Sequence, residues 1–225
     1  QLIGINGLSP EKSRNFSAGF VAHPVAGLTF TADAYQIEID DRIVVSGQLF
    51  GTGGAINSPA VRAAILANGN TLDSTVTQTG IRIFSNGLDT RTRGIDLLAS
   101  YATDFGDLGN VDWSLATNYT DTKVTNIAPA PAQLAAGVAL FDKAAISDLE
   151  TTAPEYRVVA SALWTLGALT VNLKESYYGE ASNFQTRTGA IYYENAMSPT
   201  FITDLDIAYE IVDGVTVSVG ANNLF

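Results

Sequence analysis

Three carboxylates near the end of the chain, Asp204, Asp206 and Glu210, are the first candidates for chemistry. An extended strand would place all three on one face, and paired carboxylates are what acid–base hydrolysis of a glycoside requires. Simple strand alternation produces the same row without any chemistry, so we expect structural acids on a water-filled face. Neither an Asp-Thr-Gly nor a Gly-x-Ser-x-Gly motif occurs. We therefore predict that the chain has no catalytic residue and is not an enzyme.

Two further groups could bind ions. Asp40 and Asp41, at the end of a predicted strand, could ligate a cation or a ferric complex, although a solvated rim is the more economical interpretation. Arg91 and Arg93 could bind an anionic ligand, but we expect them to pair with acids on the water-filled face. Gly51-Thr52-Gly53-Gly54 lacks the Lys-Ser or Lys-Thr of a phosphate-binding loop. We predict no metal and no cofactor, and the pattern identifies no ligand-binding residue.

The single histidine and the missing cysteines exclude several site types. The chain has no Cys, which rules out thiolate zinc sites and cysteine nucleophiles within it. His23 lies beside Pro24 in a turn-like stretch with no nucleophile nearby, and we expect a turn or interface residue. A catalytic triad and a histidine metal site would both have to use His23.

Composition separates this chain of 225 residues from an ordinary soluble domain. Charged residues make up 16% of it, against roughly 25% in soluble domains. The net charge of -11 argues against a nucleic-acid partner, because neutralising phosphates requires a basic patch. No apolar run reaches the ~18 residues of a membrane helix, and we expect no signal peptide at the Gln1 end, so the sequence would be a mature protein or a fragment.

The clearest structural signal runs from Arg91 to Tyr119. Apolar residues alternate with polar or small ones on both sides of the Gly- and Asp-rich segment 104–110, which is typical of two strands and a turn. Similar alternation recurs along the chain and predicts about eight strands, near residues 15–23, 28–45, 78–101, 111–125, 154–166, 169–179, 201–211 and 215–222. We expect the third to be broken at 85–87 and the second to change phase near Ala34-Tyr35, by a bulge or because the strand leaves the membrane.

The connections alternate between short and long. Short turns are predicted near 24–27, 104–110, 167–168 and 212–214, and long polar loops at 46–77, 126–153 and 181–199. Helical spacing predicts a short helix near 58–69 and another following Pro131. Aromatic residues occur near both strand ends, as in the girdles of membrane barrels. The predicted fold is all-β: an antiparallel up-and-down transmembrane β-barrel fragment with short turns at one end and long loops at the other.

Three segments carry a family resemblance. Residues 28–43, the stretch Thr92-Arg93-Gly94-Ile95-Asp96-Leu97, and the ending Gly220-Ala221-Asn222-Asn223-Leu224-Phe225 resemble barrel strands of TonB-dependent outer-membrane receptors. The resemblance extends from about residue 15 to 225. Such receptors have about 22 strands around an N-terminal plug, and the TonB complex drives uptake of scarce solutes through them.

The resemblance implies that residues 1–225 are a partial receptor barrel without plug, TonB box or last strand, located in the bacterial outer membrane. Its expected partners are outer-membrane lipid, the rest of the barrel with its plug, the TonB complex acting through the N-terminal part, and a small extracellular ligand such as a ferric siderophore. Two alternatives remain open at this stage. One is a small self-contained barrel with a structural or adhesion role, and the other is a soluble β-sheet carbohydrate enzyme.

Overall fold

One antiparallel sheet organises the chain. The computed structural model describes residues 7–47, 49–50, 63, 66–67, 69, 71, 80–130, 139–186 and 191–225. In chain order the strands are β1 (Lys12–Ala22), β2 (Leu28–Val45), β3 (Leu49–Phe50), β4 (Gly80–Ile81), β5 (Phe84–Asp104), β6 (Asn110–Ile127), β7 (Tyr156–Leu166), β8 (Leu169–Tyr178), β9 (Ala181–Thr186), β10 (Tyr192–Met197), β11 (Thr200–Val212) and β12 (Val215–Ala221). A helix, α1 (Lys143–Glu150), precedes β7.

Eight of these strands form a meander in the order β1-β2-β5-β6-β7-β8-β11-β12. The pairs β3–β4 and β9–β10 form separate two-stranded sheets inside long connections. Within the described residues, β1 and β12 each pair on one side only, so the sheet is open. No helix in the described part of the chain has the length and apolarity to cross a membrane.

The two faces of the sheet differ sharply in chemistry. What we call the apolar face carries rows such as Leu28, Tyr101, Trp113, Ala162, Leu173 and Leu205, paired in register across six strands. What we call the polar face carries the neighbouring row Thr29, Ser100, Ser114, Ser161, Lys174 and Asp204. Strand alternation therefore sorts the sequence into one apolar and one hydrophilic surface. The apolar face is uncovered, since Trp113 is 45% exposed and Val219 is 71% exposed.

The turns between sheet strands lie at one end, which we call the turn end. They include a short 3₁₀ helix, Gly106–Leu108, between β5 and β6. Gly109 closes this turn at a φ of 85°, and a Cβ atom there would overlap the carbonyl oxygen of Thr165. Only glycine satisfies both conditions. At the last hairpin the predicted Asp213-Gly214 turn is present, with Gly214 at a φ of 78°.

The long connections after β2, β6 and β8 lie at the opposite end, which we call the loop end. The separation of short turns from long loops agrees with the predicted architecture. The predicted helix after Pro131 is observed as α1, which begins only at Lys143. The helix expected near 58–69 falls largely outside the described residues, although residues 63, 66 and 67 are helical.

Two irregularities differ from the predictions. β5 is continuous through Ser85-Asn86-Gly87, but its register with β2 shifts there, because Arg42 pairs with Leu88 and Ile43 with Asn86. The gap that precedes β5 lies at residues 82–83. β2 stays in register past Ala34 and Tyr35, and its pairing with β5 first shifts between Ile39 and Arg42. Asp41 adopts a φ of 56° there, which is uncommon for a residue with a side chain. The predicted bulge at Ala34-Tyr35 is therefore wrong.

The third long connection also differs from the prediction. Residues 181–199, expected to be a polar loop, contain the β9–β10 hairpin with six paired positions between Ala181–Thr186 and Tyr192–Met197. Alternation is weak in both strands because the hairpin lies between α1 and solvent, without an apolar face of its own. Contacts with α1 order this hairpin.

Candidate functional site

A small apolar cluster anchors the loop end on the polar face. Leu88 is 1% exposed and packs with Leu140 and Phe141, and the ring of Phe141 occupies the space where Gly87 has no side chain. Val124 adds to the cluster, and its backbone N–H donates to the carboxylate of Glu150, 2.7 Å away. These contacts place α1 across the polar face of β5 and β6.

Asp142 joins the helix to two other segments. Its Oδ1 accepts from the N–H of Ala145 at 2.9 Å, which caps α1. Its Oδ2 accepts from the hydroxyl of Tyr192 on β10 at 3.2 Å. A Cβ atom at Gly47 would lie 2.7 Å from the Asp142 Cγ atom, and the Gly47 N–H donates to the carbonyl of Leu140. The Asp142 carboxylate thus joins the helix to the hairpin, and the segment after β2 packs closely against it.

The helix also contacts β9 directly. The buried hydroxyl of Ser147 accepts from the N–H of Phe184 at 3.0 Å. Further along, the hydroxyl of Thr151 donates to the carbonyl of Ser182 at 2.6 Å. Lys143 places its Nζ 3.4 Å from the centre of the Phe184 ring, a cation–π contact. The β9–β10 hairpin is therefore held against α1.

Between α1, β9 and the end of β2 lies a polar crevice of about 400 Å³. We call it the mouth crevice; its polar lining comprises Ser46, Arg82, Asp142, Asp148, Asn183, Gln185 and Thr186. It offers a guanidinium, amides and carboxylates within one concave surface. Such a set suits a polar solute with both donors and acceptors. The described residues contain no group of three or more His, Cys, Asp or Glu side chains that could hold a metal ion.

Tyr192 is the titratable group most affected by this packing. Burial, then the negative charge of Asp142 and its hydrogen bond, raise the pKa of the Tyr192 phenol above its ordinary value. The proton on the Tyr192 hydroxyl is the one donated to Asp142. Ionisation would therefore remove the hydrogen bond and set two negative charges together.

The structure does not bring the three predicted carboxylates together as an acid–base pair. Asp204 forms an ion pair with Lys174 at 2.7 Å and accepts from the N–H of Asn223. Asp206 lies beside Gly220 and lines, together with Asp204 and Lys174, one polar crevice of about 250 Å³. Glu210 accepts from the N–H of Gly214 in the last hairpin turn. Asp204 and Glu210 thus have structural partners of their own.

The other predicted ion-binding residues are also engaged locally. Asp40 lies 3.3 Å from the Arg14 guanidinium. Asp41 forms the β2 irregularity, where its N–H donates to the Asp89 carboxylate.

The expected pairing of Arg91 and Arg93 with acids on the polar face is wrong. Both have apolar-face register, level with Glu38 and Gln36 of β2. Arg93 donates to the side-chain oxygen of Gln36 at 2.6 Å.

His23 lies in the turn between β1 and β2, as predicted, with its Nδ1 3.2 Å from the Thr29 hydroxyl. The glycine-rich stretch at 51–54 lies outside the described residues. Sequence reasoning missed the mouth crevice, because its lining comes from three connections far apart in the chain. The one local signal was Asp142, an N-cap residue directly before the helix.

Comparison with known proteins decides the family. The family model for the TonB dependent receptor-like β-barrel matches residues 1–224. The chain belongs to the TonB-dependent receptor β-barrel family. No curated protein sequence matches it.

Among solved structures, the chain is similar to the FrpB iron transporter from Neisseria meningitidis (F3-3 variant), with 14% identity and a TM-score of 0.65, covering 99% of this chain and 28% of that one. It is also similar to the ferripyoverdine receptor of Pseudomonas aeruginosa, with 15% identity and a TM-score of 0.57, covering 96% and 24%. The copper transporter OprC matches with 17% identity and a TM-score of 0.55, covering 97% and 26%. The chain thus spans about a quarter of the length of each.

Family membership assigns an environment to each face of the sheet. TonB-dependent receptor barrels lie in the bacterial outer membrane, so the apolar face contacts lipid and the polar face lines the interior. Family membership also confirms the prediction that the chain is not an enzyme. The mouth crevice lies at the loop end on the interior side of a receptor wall.

Proposed function

We propose that this chain forms part of the wall and mouth of an outer-membrane receptor for active uptake of a scarce solute. The mouth crevice supports this proposal, because α1 and the β9–β10 hairpin bring polar groups together there, over the interior face of the sheet. In TonB-dependent receptors the long loops face outside. A solute arriving from outside would meet this crevice before the barrel interior.

A ferric siderophore is the solute class we favour. The mouth crevice carries a guanidinium, Arg82, beside the amides of Asn183 and Gln185. These are donors for the anionic and carbonyl oxygens that surround iron in such chelates. Two of the similar structures are an iron transporter and a ferripyoverdine receptor, which supports this choice. The similarity to a copper transporter makes a metal ion the competing solute.

The partners we propose follow from the open sheet. β1 and β12 leave hydrogen-bonding edges that need further barrel strands, and a receptor of this family would place a plug domain against the polar face. The TonB complex would act through that plug. A small self-contained barrel is less well supported, since β1 and β12 do not pair with each other in the described sheet.

Uptake of radioactive iron tests the proposal. The full coding sequence would be expressed in an outer membrane lacking other iron receptors, and cells would be supplied with a panel of ferric siderophores. We expect Arg82→Ala and Asn183→Leu to weaken binding and uptake about tenfold each, as expected for loss of a charge-assisted or buried hydrogen bond. The matched control is Arg14→Ala, an exposed arginine on β1 outside the crevice. Normal uptake by both crevice variants, or uptake of copper alone, would contradict the proposal.

A further inference from the structure

The outward surface of the sheet changes from apolar to charged at the loop end. Tyr119 and Tyr156 have apolar-face register, and their ring centres are 4.7 Å apart. Aromatic pairs of this kind mark the boundary between lipid tails and headgroups. Beyond this ring pair the strands turn charged side chains to the same side, among them five of the chain's 12 lysines and arginines: Lys12, Arg14, Arg91, Arg93 and Lys123.

Three of these cations form a compact group on β5 and β6. Arg91 lies directly opposite Lys123 in the register of the two strands, and Arg93 lies opposite Asp121. Side chains directly opposite each other have Cβ atoms about 4.5–5.5 Å apart, and diagonal neighbours are about 7–8 Å apart. Like charges placed so close together destabilise a sheet. We call Arg91, Arg93 and Lys123 the cation triad.

Two carboxylates beside the cation triad already have cationic partners. Asp121 has its Oδ1 atom 3.1 Å from the Nζ atom of Lys123 and balances that charge. Glu38 is level with Arg91 on β2 but lies 3.4 Å from the guanidinium of Arg14 on β1. Neither carboxylate therefore offsets the charge of Arg91.

The third neighbouring carboxylate is also engaged. Asp89, two residues before Arg91, accepts from the N–H of Asp41 at 2.9 Å and from the amide of Asn126 at 3.0 Å. Among the described residues, no carboxylate oxygen lies within 4 Å of a nitrogen of Arg91 or Arg93. The cation triad therefore carries about two positive charges that the described part of the protein does not balance.

Gln36 orients Arg93 without neutralising it. The Nε of Arg93 donates to the Oε1 of Gln36 at 2.6 Å, while the Gln36 amide nitrogen donates to Glu38 at 2.9 Å. No other described group accepts a hydrogen bond from Arg93, so its two terminal nitrogens are available to a ligand. Such a planar fork matches two oxygens of a phosphate.

Height above the aromatic pair indicates where such a phosphate comes from. Asp121, level with Arg93, lies two residues beyond Tyr119 on β6, and Lys123, level with Arg91, lies four residues beyond it. At ~3.3 Å per residue and a tilt of ~40°, the cation triad is about 5–10 Å above the Tyr119 ring. The headgroup layer of a bilayer is about 5–8 Å thick. The cation triad therefore lies at the height of lipid phosphates.

Charge indicates the kind of headgroup. A phosphate monoester carries about -1.5 to -2 charges near neutral pH, which matches the unbalanced charge of the two arginines. A phosphodiester carries only one negative charge, and a zwitterionic headgroup adds an ammonium that the cation triad would repel. The best match is a lipid whose headgroup ends in phosphate monoesters.

We propose that the cation triad binds a phosphate monoester of a phosphorylated glycolipid in the outer leaflet. Arg91 and Arg93 donate to the phosphate oxygens, and Lys123 adds positive charge beside them. The acyl chains of the lipid lie below, on the apolar face. The site depends on the outer-membrane location and not on the transported solute, so its failure would leave the proposed uptake function untouched.

Native mass spectrometry of the intact receptor tests this proposal. The full-length protein would be placed in phosphatidylcholine nanodiscs with equal small amounts of diphosphoryl lipid A and dephosphorylated lipid A of identical acyl chains. It would then be released and the retained lipids counted. We expect selective retention of one diphosphoryl lipid A. Arg91→Gln and Arg93→Gln should each lower the ratio of retained phosphorylated to dephosphorylated lipid about tenfold, the effect of one charge-assisted hydrogen bond.

Two further variants separate the site from a general charge effect. Arg157→Gln removes the same charge at the loop end from a residue with polar-face register, whose guanidinium lies 5.2 Å from the centre of the Tyr178 ring, and should leave retention unchanged. Asp121→Asn removes the carboxylate that balances Lys123 and should raise retention. Heat-modifiable migration in gels would confirm that each variant is folded.

A competition arm distinguishes a lipid headgroup from a free anion. Excess inorganic phosphate should not displace lipid A, because the bound lipid is also held by its acyl chains. Displacement by inorganic phosphate would show a free-anion site and overturn the lipid assignment. Equal retention of both lipids by the wild type, or unchanged selectivity in both arginine variants, would overturn the site itself.

Discussion

The ring of Tyr35 lies across Gly94, and its hydroxyl is 2.7 Å from the hydroxyl of Thr120 one strand further on. The three residues share one row of the polar face, in β2, β5 and β6. A Cβ atom at Gly94 would overlap the Tyr35 ring. Because Gly94 has no side chain, the Tyr35 ring can lie across β5 and reach Thr120 on β6.

Gly94→Ala should destabilise the sheet by about 1–3 kcal/mol, because the new methyl group forces the Tyr35 ring out of its position. Tyr35→Phe should cost only about 1 kcal/mol, the hydrogen bond alone. Urea unfolding in lipid vesicles, followed by tryptophan fluorescence, measures both. Gly7→Ala is the control, since nothing lies within 4 Å of that position. Equal stability of Gly94→Ala and the wild type would show that the ring moves freely.

Asp142→Ala should release α1 and the hairpin together. Loss of the N-cap costs about 1 kcal/mol, and the Tyr192 hydroxyl loses its acceptor. Hydrogen exchange should therefore accelerate in both Lys143–Glu150 and Tyr192–Met197. Asp148→Ala, an exposed residue of the same helix, serves as the control. Faster exchange in the helix alone would show that Asp142 does not couple the two segments.

Alkaline pH should weaken the same contact through Tyr192. Because the pKa of Tyr192 is raised in the folded state, folding favours the protonated phenol. Below the ordinary tyrosine pKa, near 10, both states are protonated and the contact keeps its full strength. As the pH rises above that value, an undocked phenol ionises first, so docking loses free energy.

The difference in absorbance at 295 nm between the wild type and Tyr192→Phe reports this titration directly. We expect a midpoint above 10 in the wild type. Asp142→Asn should lower that midpoint, because the repelling charge is gone while burial remains. A midpoint at or below 10 in the wild type would show that the phenol is not buried against Asp142.

The ion pair of Lys174 with Asp204 should contribute little by its charges alone. Its side chains are 43% and 19% exposed, and solvent screening limits such a pair to about 0.2–1 kcal/mol. Asp204→Ala should cost more than Lys174→Ala, because it also removes the acceptor for the Asn223 N–H. A double-mutant cycle on unfolding free energies separates the two contributions. A coupling energy well above 1 kcal/mol would mean that the pair is shielded from water.

The alternation of apolar and polar residues predicted most of the sheet, because successive side chains of a strand point to opposite faces and one of these faces is apolar. The strand β7 was predicted from Tyr156, Val158, Ala160, Ala162 and Trp164, and all five share the apolar face. The β9–β10 hairpin was missed because its order depends on Ser147 and Thr151, which belong to another connection. The mouth crevice was missed for the same reason, since no local pattern relates Arg82, Asp142 and Asn183.

The attachment of the β9–β10 hairpin to α1 has a mechanical consequence. Gly47, Asp142 and Tyr192 form one chain of contacts, so we expect three connections distant in sequence to open as a single cooperative unit. Force applied to the hairpin is transmitted through the helix to the ends of β2 and β5. We therefore expect a molecule that binds one connection to displace the other two with it.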